Sequence, residues 1–165
     1  MASRPVPTQY LTAGQEYLDA LRSLGLTPNY LGWGWDIAAE QWLLVLVTPI
    51  VDAGGPLALN KLLFRAYNAK ATPQQISPFI VRVFSPDIIP SDFWMLGDKN
   101  LSVSAVQSNE DWSPVKIENV QKTFLGLEME MINSYQTLRP PQRRGYHDRR
   151  KDWNKFKGNV EKLAA

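Results

Sequence analysis

The run Trp42-Leu-Leu-Val-Leu-Val-Thr48 constrains this chain more than any other segment. It is apolar almost without interruption and contains β-branched residues, the pattern of a strand covered on both faces. Pro49 follows, and it lacks the N–H that a ladder needs, so regular pairing ends there. The full apolar stretch from Trp42 to Val51 is ten residues, half of the roughly 20 that a helix needs to cross a bilayer. It therefore reads as a buried strand, and the sequence predicts no transmembrane segment. Met1-Ala-Ser-Arg-Pro-Val-Pro7 lacks the apolar core of a secretory signal, which makes the cytoplasm the expected location.

A strand buried on both sides needs neighbours and covering helices. Tyr10, Leu11, Tyr17, Leu18, Leu21 and Leu24 fall on one helical face over residues 8–24, with Gly25 as the C-terminal stop. Residues 33–38 read as a strand that turns back through Ala39-Glu40-Gln41 into the central one. Pro56 suits a first helical position, and Leu57 to Tyr67 supply an apolar face for a second helix over 56–69. Thr72-Pro-Gln-Gln75 has the capping-box pattern and predicts a short helix before Pro78. Phe79–Phe84 reads as a strand, and Leu101–Val106 alternates as a half-exposed strand does. Ser113-Pro114 opens a predicted helix along which Ile117, Val120, Phe124, Leu127, Met131, Tyr135 and Leu138 recur at three- and four-residue steps. Pro140-Pro141 end it.

These elements define an α+β fold with a mixed or antiparallel sheet of about four strands flanked by helices. Residues 1–138 form one globular domain, and residues 139–165 a basic, helix-prone C-terminal arm. At 165 residues with 44% of them hydrophobic, the chain has enough apolar surface for one core. It has no cysteine, which excludes disulfides, thiolate nucleophiles and cysteine metal sites. A single histidine, His147, excludes a multi-histidine metal centre. That residue lies within Arg143-Arg-Gly-Tyr-His-Asp-Arg-Arg-Lys151, where nothing in the sequence positions it as a general base. No catalytic residue, metal ligand or cofactor is assigned.

A formal net charge of +2 conceals a division. Residues 1–138 hold 9 Lys/Arg against 13 Asp/Glu, whereas residues 139–165 hold 9 against 3. Within the arm, Arg143, Arg144, Arg149, Arg150 and Lys151 are interleaved with Tyr146, Trp153 and Phe156. Arginine forks and aromatic rings suit phosphate contact with base stacking. Trp153, Phe156, Val160 and Leu163 also fall three or four apart, giving a basic amphipathic helix that docks on a protein, lies on an anionic membrane, folds along nucleic acid or packs back on its own acidic body. The expected function is therefore non-catalytic: binding or assembly, with the arm engaging a protein partner, another copy of the chain, or nucleic acid. Gly32-Trp33-Gly34-Trp35 is a second candidate binding element. Its plainer reading is an edge strand with one Trp in the core and the other on the surface.

The alternative function is a metal-dependent hydrolase, a nuclease among the options. It requires Asp36, Asp52 and Asp87 to converge on one cation. Asp52 and Asp87 also stand where turn caps belong. Gly54-Gly55-Pro56 lacks the Lys-Ser/Thr of a phosphate-binding loop and reads as a plain strand-to-helix turn.

Overall fold

A computed structural model of the chain describes residues 6–88, 115–124, 127–135 and 146–163. Helix α1 runs from Thr8 to Ser23, and Gly25 at φ +90° ends it. The Leu26 N–H reaches back to the Leu21 carbonyl at 2.9 Å. This left-handed closure is the one glycine tolerates best, and it drops Leu26 into the core.

Strand β1 (Tyr30–Asp36) and strand β2 (Gln41–Val47) form the expected antiparallel hairpin. Its turn is held by Asp36, whose Oδ1 accepts the Ala38 and Ala39 N–H groups, each at 3.1 Å. Glu40 closes the turn at φ +51°. A one-turn helix α2 (Val51–Gly54) and Gly55 at φ +86° lead to α3 (Pro56–Asn68). The expected capping-box helix after Thr72 does not form. Gln74 instead donates through Nε2 to the Tyr67 and Thr72 carbonyls at 3.0 and 3.2 Å, folding the segment into turns. Ser77 and Pro78 start a 3₁₀ turn over Pro78–Ile80, so strand β3 is shorter than its apolar run, Val81–Phe84.

The largest departure concerns residues 114–138, predicted as one long helix. They contain strands β4 (Val115–Phe124) and β5 (Leu127–Ser134), paired antiparallel. The three- and four-residue spacing also contains a strand pattern: Val115 and Ile117 alternate with polar residues, as do Leu127, Met129 and Met131. β-branched Val115, Ile117, Val120 and Thr123 also favour the pleat. The expected strand at 101–106 lies outside the described residues.

The sheet order is β3-β2-β1-β5-β4, mixed because β2 and β3 run parallel while the other pairs are antiparallel. The fold is thus α+β. The long parallel connection from β2 to β3 passes through α2 and α3. Leu31 and Trp33 of β1 register against Leu46 and Leu44 of β2, and Leu44 against Val81 of β3. These side chains share one sheet face and one buried cluster with α1, α3 and the C-terminal helix α4 (Tyr146–Leu163). Tyr30, Leu43, Val45, Val47 and Phe84 have the opposite parity and are buried too. The central strands are therefore covered on both faces, as the run 42–48 requires.

Candidate functional site

Helix α4 realises the amphipathic pattern of the C-terminal arm, and its apolar stripe is turned inward except at its end, where Leu163 is exposed. Phe156 and Val160 are fully buried and Trp153 nearly so, all in the same core cluster as α1 and α3. The helix packs on α2 and α3. Gly54 makes the Trp153 seat possible: a Cβ there would collide with the indole. At the other end, Asn159 donates through Nδ2 to the Leu24 carbonyl at 2.8 Å, satisfying one of the groups left open at the end of α1.

The first turn of α4 is fastened by charge. Arg149 Nη1 lies 3.5 Å from Asp52 Oδ2 and 3.7 Å from Asp87 Oδ2. Ser85 Oγ–H donates to the same Asp52 oxygen at 2.8 Å, and the Asp87 N–H donates to Ser85 Oγ at 3.2 Å. Asp52 follows the end of β2 and Asp87 the end of β3. Because those strands are parallel, their following loops meet at one end of the sheet. Asp36 sits in the β1–β2 turn at the opposite end, across the full length of the hairpin. Two of the three aspartates considered for a metal thus come together, but around a guanidinium, and the third caps a turn. Among the described residues, no group of three or more His, Asp or Glu could hold a metal ion.

Trp33 is buried inside the sheet. Its Nε1–H donates to Tyr135 Oη at 2.7 Å, and Tyr135 Oη–H reaches the Leu11 carbonyl at 2.7 Å. Tyr10 stacks on the indole with ring centroids 5.2 Å apart. Burial pushes the Tyr135 hydroxyl above its ordinary range, a shift partly offset by the Trp33 hydrogen bond. Trp35 is half-buried and meets Trp42 edge to face at 5.0 Å. The edge-strand reading of Gly32–Trp35 does not hold, since β1 lies between β2 and β5. Residues 33 and 35 are also two apart, so both side chains lean to one face.

Of the arm residues singled out for binding, Trp153 and Phe156 serve the core, and Arg149 fastens the helix. Arg150 and Lys151 are exposed, as are Lys155, Lys157, Lys162 and His147. Tyr146 begins α4, and Arg143 and Arg144 lie outside the described residues. Lys151, Lys155 and Lys162 stand at steps of four and seven, on the side of α4 opposite Trp153, Phe156 and Val160. Gly158 lies on the same outward side, and a Cβ there would meet nothing within 4 Å. Gly158→Ala is therefore expected to raise stability by about 0.5–1 kcal/mol, read as a higher midpoint in chemical denaturation.

Sequence reasoning passed over Gly14 and Asn159, read Gly54 only as part of a strand-to-helix turn and placed Tyr135 on a helix face. Gly14 had a usable signal, since an isolated glycine inside an apolar pattern often marks a close approach. Tyr135 and Asn159 had none. Compared with family models, curated proteins and solved structures, the chain matches none.

Proposed function

We propose that this chain is a non-catalytic binding or assembly protein whose basic C-terminal helix engages an anionic partner. That partner is nucleic acid or the acidic surface of a protein, a second copy of this chain included. One observation carries the reading: α4 commits Trp153, Phe156 and Val160 to its own core and leaves Arg150, Lys151, Lys155, Lys157 and Lys162 exposed. An apolar docking mode is used up internally, so recognition falls to the cations. Of these, Lys157 is 4.0 Å from Glu161 on its own helix, a surface pair that holds it only weakly. Mounting the helix on a rigid core fixes the spacing of the Lys residues before any partner arrives, which lowers the ordering cost of binding.

The test replaces Lys151, Lys155 and Lys162 together by Glu. Binding to a labelled single-stranded oligonucleotide and to polyglutamate is measured across a salt series. The wild-type chain is expected to bind at least one of them, with affinity falling steeply as salt rises. The triple variant should keep its melting temperature and lose well over tenfold in affinity. If the ligand is nucleic acid, the log–log salt slope should flatten by about one unit per lysine removed. Undiminished binding by a folded triple variant would refute the proposal.

A further inference from the structure

A second surface, on α3 and the 3₁₀ turn before β3, goes beyond the reading of α4. Leu57, Lys61 and Phe64 follow one another at steps of four and three along α3. They lie opposite its buried side of Leu59, Leu62, Leu63 and Ala66. Phe79 stands edge-on to Phe64 with ring centroids 4.9 Å apart. Leu57 is 68% exposed and Phe79 75%. Large apolar side chains this exposed are uncommon when they gather in one place on a folded chain.

The segment that carries them holds charge of one sign. From residue 53 to residue 86 the chain carries four Lys/Arg and no Asp or Glu. Lys61 lies between Leu57 and Phe64 on their stripe, and Arg65 follows directly. Arg82 donates through Nη1 to the Phe79 carbonyl at 2.6 Å, which ties its guanidinium to the backbone of that turn. Among the described residues, Lys61, Arg65 and Arg82 form no ion pair.

We infer that this surface is a peripheral membrane contact, with Leu57 and Phe79 entering the acyl boundary of an anionic bilayer and Lys61, Arg65 and Arg82 meeting its headgroups. A bilayer interface supplies both chemistries in the right order of depth, negative charge outside and hydrocarbon beneath. Nucleic acid would satisfy the cations but offers Leu57 no apolar medium. An isologous contact with a second copy would set these cations against themselves. A protein partner would need a cavity matched to two protruding side chains, whereas a bilayer needs no such match.

Co-sedimentation of the full chain with vesicles tests this inference. One set is phosphatidylcholine alone, the other carries about one-third phosphatidylserine. The wild-type chain is expected to partition onto the anionic vesicles and not the neutral ones. Leu57→Ser with Phe79→Ser should lower that partition by about tenfold or more, because two exposed side chains lose their transfer into hydrocarbon. Both residues face solvent, so the melting temperature should hold; Phe79→Ser alone serves if the double variant is destabilised. Wild-type chain that ignores anionic vesicles would overturn the inference, as would a double variant that partitions like wild type. A wild-type dimer dispersed by the same substitutions would overturn it as well, in favour of a second copy. Vesicle binding lost in the K151E/K155E/K162E protein but kept in L57S/F79S would move the lipid contact to α4. That outcome ends this inference and leaves the anionic-partner reading of α4 standing.

Discussion

Phe156→Ala is expected to destabilise the chain by about 3–5 kcal/mol, the usual loss when a fully buried aromatic is truncated. Phe156 has no exposed surface and sits in one cluster with Leu18, Leu21, Leu59 and Leu63, although more than ninety residues separate it from them. A loss of that size is a large fraction of the stability of a domain this small. The measurement is chemical denaturation of the full chain, followed by Trp fluorescence and by circular dichroism. If α4 is integral to the core, both signals move together to lower denaturant. If it is an appendage, the body unfolds at its old midpoint and the expectation fails. Trp153→Ala should behave alike, with a smaller effect because its indole keeps some exposure.

Gly14→Ala is the second large effect. In an exposed helix that change stabilises by up to about 1 kcal/mol, because alanine loses less backbone entropy. Here a Cβ would land on the Tyr135 ring. The ring cannot retreat cheaply, since its hydroxyl is tied to Trp33 Nε1–H and to the Leu11 carbonyl, both at 2.7 Å. Overpacking costs of about 1–3 kcal/mol therefore outweigh the helix gain, and breaking the buried hydrogen bonds adds to them. The expected result is a lowered denaturation midpoint, opposite in sign to Gly158→Ala in α4. Equal, stabilising shifts from both alanines would show that Tyr135 moves freely.

Much of the architecture was legible in the residues. The 42–48 run announced a strand covered on both faces, and Pro56 and Gly25 marked a helix start and a helix end to within a residue. Residues 114–138 were misjudged because apolar spacings of three and four fit one helix face as well as alternating strand positions interrupted by irregularities. The register shift of β4 against β5 between Lys116 and Val120 is one such irregularity. Helix and strand differed there by which long-range partners existed. Local pattern cannot express that, and β5 is held by β1, about a hundred residues upstream.

The candidate site divided along the same line. Arg149, Asp52 and Asp87 were each picked out in the sequence, for two incompatible purposes. Only the parallel placement of β2 beside β3 brings the two carboxylates to one end of the sheet, where the guanidinium reaches both. The arm's cations and its apolar stripe were also plain, but spacing alone does not say what an amphipathic helix faces.

By itself, the sequence determined the two-sided central strand, the first and third helices, the separation of negative and positive charge, and the exclusion of cysteine chemistry. These follow from residue type and near-neighbour spacing. The tertiary structure decided which way α4 turns. The space between α2, α3 and the end of α1 accepts Trp153, Phe156 and Val160, and burying them in the chain's own core turns the cationic side outward. Packing of that kind depends on contacts between segments far apart in sequence, and no local pattern specifies them.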